Sequence, residues 1–437
     1  MSGKNKDQQE ILSKLGITEL NQMQVQAQTA IETNDEVVLL SPTGTGKTLA
    51  FLLPIIARLD NTIDQVQVLI LVPTRELAIQ IEQVIREMGS GFKATAVYGG
   101  KSGNKDKIQF KNPPAILIGT PGRIADHMRR QNIITDSIKT LVLDEFDKSL
   151  EIGFEVEMKE IIYTLRSVEK KILTSATQRI EIPEFVGLKN PEYIKYEGSE
   201  NAQLTLRTIA SPTKDKLATL VNLIGHIEKG NGIIFCNFKD TIQIVSDYLS
   251  EKKISHGCFF GGLEQIDRER ALIKFRNGTN RFLVATDLAA RGLDVPEMDF
   301  IIHFELPSKK VEFIHRNGRT ARMNSNGVAY ILKWEGESLP GFIEGSEVER
   351  IQLNQSPVQS EWETLFISGG RKDKISKGDI AGLFLKQGNL KKDELGSIEL
   401  KQDCAFVAVP IGKTQTLIAQ LNNSQLKNKK VRITLLA

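Results

Sequence analysis

The chain has 437 residues, 40% of them hydrophobic, with 57 Lys and Arg against 54 Asp and Glu. A composition near the globular average excludes wholesale disorder or a collagen-like repeat, and a net charge of +3 marks no polyanion binder by itself. The longest apolar run, Leu49 to Ala57, falls far below the ~20 residues of a membrane span, and polar Met1–Glu10 has no signal-peptide core. Three scattered cysteines (Cys236, Cys258, Cys404) form no CxxC pair, which argues against a disulfide framework or zinc site. A cytoplasmic protein of about three domains and no membrane partner is expected.

In chain order, the first half alternates short apolar runs with helical patterns. Strands are predicted at Val37–Leu40, Val66–Val72, Thr95–Val97, Ala115–Ile118, Thr140–Leu143 and Lys171–Thr174, with helices such as Lys47–Leu59, Arg75–Met88 and Glu155–Arg166 between them. Near-continuous apolar strands interleaved with helices read as a parallel sheet covered on both faces. A second series follows at Gly232–Cys236, His256–Phe260, Arg281–Ala285, Phe300–His303 and Val328–Leu332. The polar stretch Glu197–Gln203 is the expected hinge. Beyond Trp334, Glu335–Glu361 mixes Gly, Pro, Ser and Glu as a connector. From Trp362 the pattern turns to βαββαβ: Thr364–Ile367, Gly378–Leu385, Leu395–Leu400, Ala405–Val409, Thr414–Leu421 and Lys430–Leu435. That order is the split-βαβ arrangement of many RNA-binding modules. The expected divisions are 1–200, 204–345, a linker at 346–361 and a module at 362–437.

Chemistry concentrates first after Val37–Leu40, where Ser41-Pro42-Thr43-Gly44-Thr45-Gly46-Lys47-Thr48 leads into a helix. A Gly-rich turn lets backbone N–H groups converge on phosphate oxygens at a helix N-terminus. Lys47 can reach the β/γ-phosphates, and Thr48 can offer its hydroxyl to Mg²⁺. Apolar Thr140–Leu143 then runs into Asp144-Glu145-Phe146-Asp147. Carboxylates at the end of a buried parallel strand sit where α/β sheets bind ligands. Asp144 suits Mg²⁺, and Glu145 suits orienting or activating an attacking water.

With these two elements in place, the sequence resembles the DEAD-box RNA helicases. The matching segments run in order: Gln24; Ser41–Thr48; Pro73-Thr74-Arg75-Glu76-Leu77-Ala78; Gly99-Gly100; Thr120-Pro121-Gly122-Arg123; Asp144–Asp147; Ser175-Ala176-Thr177. Gln265 and Arg268, Ala285-Thr286-Asp287, Arg291-Gly292-Leu293-Asp294 and His315-Arg316-Asn317-Gly318-Arg319-Thr320-Ala321-Arg322 continue it. The resemblance implies two tandem RecA-like α/β domains that clamp ATP and single-stranded RNA in a shared cleft. Gln24 would read adenine, Ser41–Thr48 would hold the phosphates, and Asp294 would contact the ribose. Arg319 and Arg322, one helical turn apart, would act as arginine fingers on the γ-phosphate. Asp147, Ser175, Thr177, Asp287 and His315 would couple the ATP and RNA sites. Pro73, Thr74, Arg75, Gly99, Gly100, Thr120, Pro121, Gly122 and Arg123 would hold the RNA backbone, joined by Gln265, Arg268, Thr286 and Gly292.

Several positions depart from the family pattern. Leu20-Asn21 stand where Pro-Thr precedes the Gln, and Asp7 where an aromatic stacks on adenine, so weaker ATP binding than the family norm is expected. Phe146 replaces a small residue and is expected to add bulk beside the Mg²⁺ site. Asn317 replaces an aliphatic residue and Ala321 a Gly.

Residues 362–437 resemble the small α+β, RRM-like RNA-binding domain that ends DbpA-type helicases, notably in Thr364–Ile375, Lys377–Gly382 and Leu395–Ile398. That resemblance implies a hairpin of 23S ribosomal RNA, or a pre-50S particle, as partner of a monomeric enzyme. Arg371, Lys372 and Lys374 are the expected phosphate contacts. Phe406 is divided between base stacking and core packing. Residues 361–437 carry 13 Lys and Arg against 8 Asp and Glu, so this tail holds 13 − 8 = +5 and the remainder −2. Two other readings stay open: a broad-specificity RNA chaperone helicase in cold adaptation or RNA decay, and an ATP-dependent RNA clamp with poor turnover.

Overall fold

The structure is a computed structural model; it describes residues 8–42, 44–99, 112–177, 181–196, 204–227, 229–287, 298–320, 326–351 and 359–436. The described residues form two compact units, one before and one after the segment 197–203.

The first unit is built on seven parallel strands: β1 (Glu36–Leu40), β2 (Val68–Leu71), β3 (Ala94–Val97), β4 (Ile116–Gly119), β5 (Thr140–Leu143), β6 (Lys170–Ser175) and β7 (Glu192–Lys195). Their spatial order is β3-β4-β2-β5-β6-β1-β7. Alternation along each strand feeds two cores. Val37, Leu39, Val68 and Ile70 pack under the helices Gln22–Thr33, Lys47–Ala57 and Arg75–Met88. Val38, Leu40, Leu69 and Leu71 pack under Pro121–Arg129 and Glu155–Thr164. Both faces are dry, which is why the strands read as unbroken apolar runs.

The second unit carries another seven-stranded parallel sheet: β8 (Leu204–Ser211), β9 (Gly232–Phe235), β10 (His256–Phe259), β11 (Phe282–Ala285), β12 (Phe300–His303), β13 (Gly327–Trp334) and β14 (Glu347–Val348). Its order is β10-β11-β9-β12-β13-β8-β14. The connector expected at 346–361 is in part sheet, because β14 pairs with β8 at Arg207↔Glu347 and Thr208↔Val348. Arg207 Nη1 lies 2.5 Å from Glu347 Oε2 and fixes that edge.

The same unit holds a four-stranded antiparallel sheet of β15 (Trp362–Ile367), β16 (Ile398–Leu400), β17 (Ala405–Pro410) and β20 (Ile433–Leu435), in the order β16-β17-β15-β20. A hairpin of β18 (Gln425–Leu426) and β19 (Lys429–Lys430) precedes the last strand. Leu365, Ile367, Val407 and Val409 face a core closed by the helices Lys377–Gly382 and Thr414–Leu421. On the opposite face, Phe366 and Phe406 stand directly across from each other with ring centroids 5.8 Å apart.

That second face is not free. Phe406, 7% exposed, clusters with Leu436 and with Ile273 of the helix Gln265–Arg276. Around this apolar contact, Arg276 donates to both oxygens of Glu399 at 2.6 and 2.9 Å. Thr279 and Asn277 reach Thr364 at 2.7 and 3.2 Å, and Ser397 donates to Asn277. Phe406 is therefore a docking residue, and the stacking role considered for it is withdrawn, because its ring has no open face for a base. The module is seated on the second parallel-sheet domain through a partly buried bidentate ion pair. Arg276→Ala should loosen this seat by about 1.5–3 kcal/mol. The expected signature is faster amide exchange in β15 and β17, with β9 and β11 unchanged.

Candidate nucleotide and RNA site

Two helix starts build the phosphate end of the site. Asn21 caps Gln22–Thr33: its Oδ1 accepts from Gln24 N at 2.9 Å, and Gln24 Oε1 accepts from Asn21 N at 3.0 Å. This reciprocal cap survives the loss of Thr because Asn serves equally well there. The same two side chains hold the loop after β1, Asn21 Nδ2 donating to Thr45 O at 3.0 Å and Gln24 Nε2 to Gly46 O at 3.3 Å. Gly46 sits at φ +85°, and a Cβ there would lie 2.4 Å from Gln24 Nε2, so only glycine fits. Ser41 and Thr45 hydroxyls bond at 2.7 Å across the loop. Gly44 and Thr48 complete it, while Thr43 lies outside the described residues.

Lys47 is buried, its Nζ donating to Ser41 O at 2.5 Å and Pro42 O at 2.8 Å. Burial pulls its pKa down to about 8, partly offset by the carboxylates of Glu145 and Asp144. Asp144 follows β5 and is pushed up to about 6, by burial first and then by the neighbouring Glu145 carboxylate. Thr174 of β6 donates its hydroxyl to Asp144 Oδ1. Glu145 stands in the left-handed region at φ 50°, at a cost of about 1 kcal/mol, with its Oε1 2.9 Å from the wholly buried Lys148 ammonium. Phe146 does not crowd the carboxylates as expected; its ring, 1% exposed, is part of the second core.

Beside these, Thr177 Oγ1 donates to Asp147 Oδ2 at 2.8 Å, and Thr177 N to Ser175 Oγ at 2.9 Å. The carboxyl edge of the sheet is thus divided. The ends of β1, β5 and β6 carry Lys47, Asp144 and Ser175, whereas the ends of β2, β3 and β4 carry Pro73–Arg75, Gly99 and Thr120–Arg123. Thr74 caps Arg75–Met88, accepting from Leu77 N at 3.2 Å, and Thr120 begins the helix of Pro121, Gly122 and Arg123. A Cβ on Gly99 would meet Arg75 Nη2 at 3.6 Å, and Arg123 pairs with Asp126 at 3.3 Å. Gly100 lies outside the described residues.

In the second unit, Gln265 and Arg268 open the helix after β10, with the Arg268 guanidinium 4.7 Å from the Phe259 ring centre. Thr286 and Asp287 follow β11. The sequence by itself assigns no role to Arg316, which stands within His315-Arg316-Asn317-Gly318-Arg319. It is 1% exposed and donates to both Asp287 oxygens at 2.6 and 2.5 Å, to Glu305 O and to Asn237 Oδ1. His315 and Arg319 are buried beside it. Arg322, Gly292 and Asp294 lie outside the described residues. On the C-terminal module, Arg371 and Lys372 form a short turn ending at Lys374, and Lys429 reaches Asp373 at 2.8 Å.

Comparisons with known proteins settle the family. Residues 21–185 match the DEAD/DEAH box helicase pattern, 215–324 the helicase conserved C-terminal domain and 364–435 the DbpA RNA binding domain. The ATP-dependent RNA helicase DbpA of Escherichia coli is 32% identical over 97% of this chain and 96% of its own length. The chain belongs to the DEAD-box RNA helicases. Within that family, Bacillus subtilis DbpA is 30% identical, again over 97% of this chain and 96% of the relative. Among solved structures, S. cerevisiae Dbp5 bound to RNA and ADP BeF3 matches with a TM-score of 0.66 and 26% identity, over 75% of this chain and 87% of that one. This DEAD-box chain therefore combines both helicase domains with a DbpA-type module.

Proposed function

We propose that the chain is an ATP-dependent RNA helicase that separates short RNA duplexes during large-ribosomal-subunit assembly, directed to 23S ribosomal RNA by its C-terminal module. The observation that carries this reading is the grouping of buried Lys47 and Asp144 with Glu145, at strand ends on either side of β6, in a chain that also bears the DbpA-type module. Lys47 binds the β/γ-phosphates, and Glu145 orients the attacking water. Asp144 carboxylate and Thr48 hydroxyl, two hard oxygen donors, suit Mg²⁺, which takes few protein ligands and fills the rest with phosphate and water. When bound, that ion neutralises charge on the transferring group. Hydrolysis then depends on Arg319 and Arg322, which lie in the second helicase domain, and RNA passes over the strand ends bearing Arg75, Gly99 and Arg123. With Asp7 in place of an aromatic, ATP affinity below the family norm remains the reading.

The pH profile of kcat/KM for ATP follows from two shifts. Asp144 must be deprotonated to hold the metal, and its pKa is raised to about 6, so activity falls below that pH. Lys47 must be protonated to hold phosphate, and its pKa is lowered to about 8, so activity falls above it. A bell with limbs near 6 and 8, each falling about tenfold per pH unit, is the expected result of steady-state assays.

The ribosomal assignment is tested by comparing ATPase stimulation by 23S hairpin fragments with equal-length unrelated RNA. Preference of at least tenfold for one fragment, abolished by Lys372→Glu with Lys374→Glu, supports it. Equal stimulation by all RNAs selects the broad-specificity helicase instead. Of the two departures that favour the clamp reading, Phe146 fills core and not the metal side, while the altered residues before Gln24 still stand in its favour.

A further inference from the structure

A buried histidine in the second helicase domain has no part in the scheme above. His303 ends β12, is wholly buried, and lies between two phenylalanines, with ring centroids 6.2 Å from Phe235 and 5.0 Å from Phe313, both at 30°. Its Nε2 is 3.0 Å from Oδ1 of Asn317, so Nε2 carries the proton and donates it. Nδ1 is buried with no partner among the described residues, which leaves a neutral ring of one tautomer. Burial and the nearby Arg316 cation hold its pKa down to about 3, so the ring does not charge at working pH.

Phe313 and Asn317 lie one turn apart on the same face of Lys310–Asn317, and His303 meets both, one by its ring face and the other by its N–H. Asn317 is the last residue of that helix, and Arg319 follows in the turn: Arg319 N donates to Arg316 O at 3.0 Å, and Met298 N donates to Arg319 O at 3.2 Å. A polar group stranded at an apolar seam drives the helix toward a register in which that group finds water or another partner, whereas a matched pair, both polar or both apolar, leaves one register favoured.

We infer that His303 and Asn317 are a matched pair of positioning residues that sets the register of the Lys310–Asn317 helix on β12 and so places Arg319 for ATP hydrolysis. The departure of Asn317 from an aliphatic residue is explained in the same way, because the amide answers a histidine that would otherwise be buried unpaired. The inference rests on the reading of Arg319 as an arginine finger.

The test is a double-mutant cycle in the full-length chain, with RNA-stimulated kcat, KM for ATP and thermal unfolding measured together. His303→Phe keeps the ring stack but strands the Asn317 amide, and Asn317→Leu strands the His303 N–H. Each should lower kcat five- to tenfold while KM for ATP changes less than twofold. His303→Gln, which retains a donor, and the double variant His303→Phe/Asn317→Leu, which removes both polar partners, should return to within threefold of the parent. Parental kcat in both single variants, or losses that multiply in the double, would overturn the pairing. If a single variant does not fold, the double decides: folded and active upholds the pair, unfolded or inactive overturns it. Arg319→Ala serves as the control; parental kcat there refutes the arginine-finger reading, not the pairing.

Discussion

Lys47→Ala should lower kcat/KM for ATP at least about a thousandfold while leaving the chain folded. A thousandfold is about 4 kcal/mol of transition-state stabilisation, a reasonable share for an ammonium that holds the transferring phosphates. The stability side follows from burial. Lowering the pKa from 10.5 to about 8 means that the folded chain holds this cation at a cost of about 3 kcal/mol, in full below pH 8 and gone as pH rises past 10.5. Its bonds to Ser41 O and Pro42 O offset part of that cost. Removing the side chain deletes both contributions, so the melting temperature should move by no more than a few degrees. Steady-state ATPase with saturating RNA and a thermal melt check both halves, and a variant that still hydrolyses ATP places the site elsewhere.

Arg316→Ala should do the reverse, with its largest effect on folding. The guanidinium is 1% exposed, and four hydrogen bonds tie β11, β12 and the Asn237 turn to the Lys310–Asn317 helix. Truncation leaves the Asp287 carboxylate facing a cavity with its partner gone. Breaking a buried pair in this way costs about 3–5 kcal/mol. For a unit of this size the transition of the second half should drop by ~10 °C, with the first unit's transition unchanged. Arg316→Lys should recover little, because an ammonium cannot make the bidentate contact and reach Asn237 together. Differential scanning calorimetry resolves the two transitions; a parental second transition in Arg316→Ala would show that this network is dispensable.

How far the sequence carried the reading depended on what each residue does in three dimensions. Strands buried on both faces were legible, and Thr140–Leu143 and Phe300–His303 match residue for residue. Among the strands missed outright, two have polar neighbours. Glu192–Lys195 is an edge strand with one buried residue, and Leu204–Ser211 interleaves Thr205, Arg207 and Thr208 with its apolar positions. The connector concealed β14 for a related reason, since two exposed residues leave no apolar pattern to read. At the site, Lys47, Asp144 and Glu145 could be named because phosphate chemistry demands those types at those spacings. Arg316 could not, because its partners Asp287, Asn237 and Glu305 are distant in sequence and meet only when β9, β11 and β12 pair. Phe406 stood between two roles for the same reason: alternation along Ala405–Val409 shows that it leaves the module's own core, but not that Ile273 waits on the other side.

Unwinding of a short labelled duplex is the direct measurement of ATP-driven separation of RNA strands. With the full-length chain, strand release should require ATP, be absent in Lys47→Ala, and be fastest when the duplex is joined to a 23S ribosomal hairpin. Release that proceeds equally without ATP, or ATP hydrolysis that RNA does not stimulate and that separates no strands, would show that the chain is not an ATP-driven RNA helicase.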